Sequence, residues 1–234
     1  MTKTRGRIRG KLTTPLLGLV LASAVVSGTA LTACSSGDGG TGLGVTLEDG
    51  DIVLAGDVAD GTPVVDLYED YSCHYCADLA EADTASLRDA LDNDKLTMRF
   101  NTVNFLDGGE DGHSTLAGAV ALAIADTGDV DAFWQYHDRA FLQYRDIIDW
   151  TLDDFAGLAE ELGVDAGTVD AIRDGSVVTT YRPALELNFV ELKDRLGGQA
   201  GTPSVFVDGT QLQMKKDPAD PTKMADWVPD VVGR

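Results

Sequence analysis

Asp70-Tyr71-Ser72-Cys73-His74-Tyr75-Cys76 decides the reading of this 234-residue chain. Before it, Thr62 to Tyr68 (TPVVDLY) is short, apolar and rich in β-formers, which predicts a strand. After it, from Tyr75 to about Leu91, the pattern turns helical. Ala80, Thr84, Leu87 and Leu91 fall at i, i+4, i+7 and i+11 on one face, and Asp78, Glu81 and Arg88 can face water. Leu96 to Phe105 (LTMRFNTVNF) alternates and predicts a second strand. The unit is β–CxxC–helix–β, with both sulfurs at the start of the helix, where a thiolate is stabilised and reactive.

The remainder of the chain extends this unit. Val45 to Leu54 predicts one or two short strands around the turn-like Glu48-Asp49-Gly50-Asp51. After a loop from Asp107 to Gly112, five helices are predicted: Ser114–Ala125, Val130–Leu142, Asp153–Leu162, Ala166–Asp174 and about Thr180–Leu196. Pro183 fits only the first turn of the last of them. Ser204 to Val207 is a short strand, Asp208-Gly209 a hairpin signal, and Thr210 to Gln213 the return. Asp220-Pro221 has the N-cap and N1 pattern of a final helix to about Trp227. This order predicts an α/β thioredoxin fold with a helical insertion at about 113–197.

The cysteines are Cys34, Cys73 and Cys76. A bridge across the two residues between Cys73 and Cys76 restrains little chain entropy, so it adds little stability and suits chemistry better than stapling. Structural zinc needs four ligands. Only His74, His113 and His137 could join the pair, and none forms a metal-binding spacing, so no metal and no other cofactor is expected.

Charge divides the chain. There are 18 Lys and Arg against 39 Asp and Glu, a net −21. Residues 1–33 hold Lys3, Arg5, Arg7, Arg9 and Lys11 and no acid, which leaves the remainder at −26. Such an acidic body argues against nucleic acid, whose phosphates need basic partners, and against an electrostatic hold on anionic lipid. The basic start precedes an apolar run from Leu16 to Leu31, the form of an export signal and short for a membrane span. An uncleaved membrane anchor is the alternative. The run ends in Leu31-Thr32-Ala33-Cys34, then Ser35, Ser36 and Gly37. This resembles the lipobox of bacterial lipoproteins. The resemblance implies a signal peptide at 1–33 and an acylated Cys34 as first mature residue. Residues 34–44 would form a Gly-rich tether spanning about 18 Å r.m.s., and 45–234 the folded domain.

Three blocks in order resemble the DsbA-like branch of the thioredoxin superfamily. They are the Asp70–Cys76 segment, Ala132-Phe133-Trp134-Gln135-Tyr136-His137-Asp138, and Gly201-Thr202-Pro203-Ser204-Val205-Phe206-Val207-Asp208-Gly209. The resemblance covers about Thr62 to Trp227. It implies a cis Pro203 with Thr202 beside the cysteines, where an extended substrate segment can pair with the backbone. On the sequence alone Pro203 reads as an ordinary trans proline at a strand start. The resemblance further implies that Cys73 is the more exposed sulfur.

There are departures from the family pattern. His74 stands where the family often has Pro; as a cation it would favour a Cys73 thiolate, and as a solvent-facing imidazole it would do nothing. Tyr75 is a second modulator of the pair. Leu67 stands where the family often has a buried acid, six residues before the first Cys, and Asp66 points to the other strand face. The usual proton relay to Cys76 is therefore in doubt. Glu69 and Asp70 are near and would raise a thiol pKa. His137, on one helical face with Phe133 and Phe141, reads as a satisfied, partly buried core histidine, and Trp134, Trp150 and Trp227 as packing residues.

The function implied is a membrane-anchored, extracytoplasmic thiol–disulfide oxidoreductase that forms disulfides in exported proteins, acting as a monomer. A quinone-linked membrane oxidase of the DsbB or VKOR-like type would be its electron acceptor. The alternatives are a reductase or isomerase of the same fold, a thiol peroxidase, or a redox-inactive chaperone-like module that holds extended chains.

Overall fold

A computed structural model describes residues 42–109 and 111–233. The signal peptide expected at 1–33, Cys34 and most of the tether lie outside the described residues.

A six-stranded sheet organises the domain. Its strands are β1 (Gly44–Glu48), β2 (Asp51–Ala55), β3 (Val64–Glu69), β4 (Thr97–Thr102), β5 (Ser204–Val207) and β6 (Thr210–Gln211), in the spatial order β1-β2-β4-β3-β5-β6. β3 and β4 are parallel, in a register from Val64↔Thr97 to Glu69↔Thr102. Parallel neighbours need a crossover, and α1 (His74–Asp92) supplies it. The other pairings are antiparallel. Both hairpin turns use the left-handed backbone. Asp208 and Gly209 have φ of 49° and 76°, and Asp49 and Gly50 have 54° and 99°. Gly50 is doubly constrained, because a Cβ there would lie 2.8 Å from Ala184 Cβ.

β3 sits near the middle of the sheet, and its pleat sorts side chains between two layers. Val65 and Leu67 join the main core with Cys73, Cys76 and Leu79. Tyr68 joins Phe206, Val103 and Leu192 in a second cluster, and Asp66 meets Arg195 at 2.8 Å on the same side. Glu69 shares the parity of Leu67 and lies on the α1 side.

Between β4 and β5 the chain is helical: α2 (His113–Asp126), α3 (Val130–Leu142), the single turn α4 (Tyr144–Ile147), α5 (Leu152–Glu161), α6 (Ala166–Arg173) and α7 (Ser176–Arg195). Asp129 caps α3 by accepting from Ala132 N–H, Asp165 caps α6, and Thr151 with Asp154 forms a capping box on α5. α2 is nearly all apolar and nearly all buried.

Two sequence expectations are corrected. α7 starts at Ser176 rather than Thr180, so Pro183 lies inside the helix. Proline deprives the Thr179 carbonyl of its donor. Both residues are exposed, so water can take the vacant bond. The final helix is α8 (Val228–Val232), which begins where the expected one ends. Asp220 instead makes a turn: its Oδ1 accepts from the Thr222 amide and hydroxyl, and its carbonyl accepts from Lys223 N–H at 2.9 Å. That local bonding competes with a helix start. The turn then returns as a Lys216↔Met224 bridge.

Gly118 is where α2 meets the sheet and α7. A Cβ there would stand 3.0 Å from Thr102 Cγ2 and 3.1 Å from Leu185 Cδ2. Gly118→Val is expected to lower the unfolding free energy by about 1–3 kcal/mol through overpacking. Urea denaturation reads this as a lower midpoint; an unchanged midpoint would mean the seam is not tight.

Candidate active site

The site begins at the end of β3, where the chain must turn into α1. Asp70 makes that turn. Its carbonyl accepts the Cys73 N–H at 2.8 Å, and its Oδ1 accepts the Ser72 N–H at 2.8 Å. Asp70 is fully buried, and its carboxylate also takes the Ser114 hydroxyl at 2.6 Å and the Leu106 N–H at 3.2 Å. Burial pushes its carboxyl up to about 6, against the pull of these donors. Ser114 Oγ is 2.8 Å from Ser72 Oγ, which is 3.1 Å from His113 Nδ1. A consistent set of protons runs from His113 Nδ1–H to Ser72, to Ser114, to Asp70. Tyr144 donates its hydroxyl to the Ser72 carbonyl at 3.1 Å. Tyr71 is stacked on Phe141, ring centroids 4.6 Å apart. The cysteine turn is thus held by β3, α2, α3 and α4 together.

Cys73 is the N-cap residue of α1, with extended backbone, and makes no side-chain capping bond. The first turn of α1 contains no acid. Unsatisfied N–H groups and the positive helix end therefore meet at this sulfur. Cys73 is 7% exposed and Cys76 3%, so Cys73 is the more accessible of the two, as expected. Both are free thiols in this structure.

The two thiols are pushed in opposite directions. Cys73 is lowered from 9.0 to about 6, first by the hydrogen bond from the Cys76 thiol, then by the Thr202 side chain and the N–H groups of Cys76 and Tyr75, with burial opposing. Cys76 is raised well above its ordinary value, first by burial, then by its bond to Cys73 and by the nearby charges of Cys73 and Glu69. The sequence left open whether helix terminus or carboxylates would win. Neither is the largest cause: the Cys76 thiol leads at Cys73, where the helix N–H groups assist, and burial leads at Cys76, where Glu69 assists.

The Thr202–Pro203 peptide is cis. The Cys73 thiol donates to the Thr202 carbonyl at 3.4 Å. The pair and the cis-proline turn, distant in sequence, therefore touch. His74 and Tyr75 are both exposed beside them, their rings 3.9 Å apart, and Lys216 Nζ lies 5.7 Å from the Tyr75 ring centre. Next to His74 a cleft of about 420 Å³ opens between α1 and α4, bordered by Asp78, Glu81, Leu142 and Tyr144. Among the described residues no group of three or more His, Cys, Asp or Glu side chains is placed to hold a metal ion. Nor is any described helix long and apolar enough to cross a membrane.

Sequence reasoning named Glu69 only as a nearby charge, without its burial or its partner, and missed Asp83. Glu69 is 2% exposed, two residues beyond Leu67 on the same strand face, and pairs with His137 at 3.1 Å. The period-two parity of a strand was the signal that could have found it. His137, expected as a satisfied and partly buried core histidine, is 3% exposed, and its Nε2 is satisfied by Glu69. Asp83, buried on α1, accepts the Trp227 indole N–H, and the sequence offered no signal for that contact.

Comparison with known proteins agrees with this geometry. A family profile described as thioredoxin matches residues 53–226. No curated protein sequence matches the chain. MdbA, a thiol-disulfide oxidoreductase from Corynebacterium diphtheriae, is similar at 32% identity and TM-score 0.71, over 74% of this chain and 89% of that one. MdbA from Corynebacterium matruchotii is similar at 32% and 0.71, over 74% and 87%. DsbA from Mycobacterium tuberculosis, in its oxidised form, shares the fold at 21% and 0.59, over 79% and 93%. The chain belongs to the thioredoxin family and is a DsbA-like protein thiol–disulfide oxidoreductase.

Proposed function

We propose that this oxidoreductase works as an oxidase, forming disulfides in exported proteins through Cys73 and Cys76. The observation that carries the reading is the opposition of the two thiols, one lowered to about 6 and the other raised. A pair whose Cys73 is stabilised as a thiolate favours its reduced form, and so takes electrons from substrates.

The steps balance as follows. A substrate thiolate attacks Cys73 Sγ of the oxidised pair. The Sγ–Sγ bond breaks, its electron pair goes to Cys76, and a mixed disulfide forms at Cys73. A second substrate thiolate attacks the substrate sulfur of that bond and expels Cys73 as a thiolate. The substrate gains a disulfide and the enzyme holds two electrons. Thr202 and Pro203, against the Cys73 sulfur, would pair with the extended substrate backbone, while His74 and Tyr75 border its path. No cofactor enters these steps.

Residues 1–33 act as a lipoprotein signal in this reading, Cys34 carries lipid, and 34–44 tether the domain 45–234 outside the membrane. Tethering would keep the enzyme near a quinone-linked membrane oxidase of the DsbB or VKOR-like type, which would receive the electrons. The basic start followed by the apolar run from Leu16 to Leu31 supports export.

Four measurements test this reading. Equilibration of the reduced and oxidised domain with glutathione should give a potential near the DsbA value of about −120 mV. A potential near the thioredoxin value of about −270 mV would make it a reductase. Thiolate absorbance should titrate Cys73 near 6, and Cys76→Ala should move that titration upward, because the Cys76 thiol is the largest cause of the lowering. A depressed folded-state value stabilises the reduced protein above the unfolded thiol's pKa, and that stability is lost as pH falls through about 6. The reduced wild type should therefore gain stability over Cys73→Ala between about pH 6 and 9; equal stability across that window would contradict the assignment. Finally, Cys34→Ser should abolish incorporation of labelled fatty acid and release the protein from membranes, whereas retained label would remove Cys34 as the anchor.

A further inference from the structure

Ser72, the residue before Cys73, is anchored at every polar atom it has. Its N–H donates to Asp70 Oδ1 at 2.8 Å, and its carbonyl accepts the Tyr144 hydroxyl at 3.1 Å. Its hydroxyl lies 2.8 Å from Ser114 Oγ and 3.1 Å from His113 Nδ1. Ser114 Oγ in turn reaches Asp70 Oδ1 at 2.6 Å, and both of these residues are 0% exposed. The direction of this chain of bonds is forced. An ionised carboxylate only accepts, so the Ser114 proton goes to Asp70. Ser114 must then accept from Ser72, and Ser72 from His113 Nδ1–H. Each hydroxyl has a single proton, so the loss of one link leaves its neighbour short of a bond.

These anchors matter unequally in the two redox states. In the oxidised pair the Sγ–Sγ bond itself ties residue 73 to residue 76 and closes the turn covalently. In the reduced pair, the state of this structure, that tie is absent. The backbone then places the Cys73 sulfur. The Cys73 N–H donates to the Asp70 carbonyl at 2.8 Å, and the Cys73 carbonyl accepts from Cys76 and Ala77 at 3.0 and 3.2 Å. The peptide that leads into this turn is the one Ser72 fixes. A thiolate at Cys73 draws on the N–H groups of Tyr75 and Cys76, and such bonds weaken steeply with misalignment. A turn free to shift would lose that aim. The anchors on Ser72 therefore favour the reduced thiolate over the disulfide, which holds its turn without them.

We propose that His113 and Ser114 are positioning residues of the exchange: through Ser72 they hold the Cys73 sulfur on the N–H groups of α1 in the reduced pair, and so set how strongly the pair oxidises. The proposal rests on Cys73 being the thiolate of the reduced pair, as described above. Both residues open α2. The helical insertion, and not the β–CxxC–helix–β unit alone, thus enters the redox equilibrium. Whatever stabilises the reduced form relative to the oxidised one raises the constant for taking electrons from a substrate by the same factor. The chemical step is unchanged. Two substrate thiols lose two electrons to the Sγ–Sγ bond, and no atom of His113, Ser72 or Ser114 is transferred. Asp70 serves here as an acceptor throughout.

The test is equilibration of the full domain with glutathione at pH 7 for Ser114→Ala, His113→Ala and Ser72→Ala, made singly. Each should lower the equilibrium constant for reduction of the pair about tenfold, the scale of one lost hydrogen bond. That is a potential about 30 mV more negative. Thiolate absorbance of Cys73 should titrate at higher pH in each variant. Urea unfolding of both redox forms separates positioning from a merely structural role: the reduced form should lose more stability than the oxidised one. Equal losses in the two forms, with an unchanged equilibrium constant, would overturn the proposal. Should Ser114→Ala fail to fold, Ser72→Ala decides by the same readouts, because it leaves the bond between Asp70 and Ser114 in place. A wild-type Cys73 that titrates as an ordinary thiol would instead overturn the thiolate reading on which the proposal rests.

Discussion

The N-cap of α1 is a sulfur, and much of the structure exists to hold it there. A helix start presents N–H groups that no helical carbonyl satisfies. In most helices an Asp, Ser or Thr oxygen fills that position. Here α3, α5 and α6 follow that rule, with Asp129, Thr151 and Asp165. At α1 the position belongs to Cys73, whose side chain makes no capping bond as a thiol. As a thiolate it becomes an acceptor for the N–H groups of Tyr75 and Cys76. The cap is completed by ionisation, and that couples helix geometry to sulfur chemistry.

Such coupling needs the sulfur to stay in place. Asp70 turns the chain before α1, and its carboxylate gathers donors from its own loop, from the 3-10 turn at Phe105–Asp107 and from α2. The helical insertion is therefore part of the site. Its α2 supplies His113 and Ser114, α3 supplies Phe141 beneath Tyr71, and α4 supplies the Tyr144 hydroxyl. Gly118 lets α2 close on the sheet and α7, which brings those groups within reach of the turn. From the opposite side of the sequence, Thr202 presents its carbonyl to Cys73.

The two sulfurs sit only two residues apart, yet their surroundings differ in kind. Cys73 faces donors at the helix end, while Cys76 turns inward toward Leu67, Glu69 and Phe100. A helix rotates about 100° per residue, so residues at i and i+3 differ in depth even when they share a face. This difference makes one sulfur a good leaving group toward solvent and the other a poor anion in the interior. Glu69 deepens the contrast from β3, and it is held there by His137 of α3, an element far from it in sequence.

What the sequence by itself determined was local: the β–CxxC–helix–β unit, the helical block and the Asp208-Gly209 hairpin all follow from periodicity and turn chemistry over neighbouring residues. The family motifs also marked Cys73, Cys76, Thr202 and Pro203 before any coordinates. Local rules failed where local bonds competed. Pro183 is tolerated inside a helix because the Thr179 carbonyl it leaves without a donor is on an exposed turn, and Asp220 turned the chain instead of capping a helix. The buried acids were legible only in part. Glu69 follows from strand parity with Leu67, but nothing near Asp83 announces Trp227, 144 residues away. Tertiary structure alone decided which charges were buried together and which sulfur they face. Burial and pairing depend on what the remainder of the fold brings alongside, and a residue's own neighbours in the chain carry no record of that.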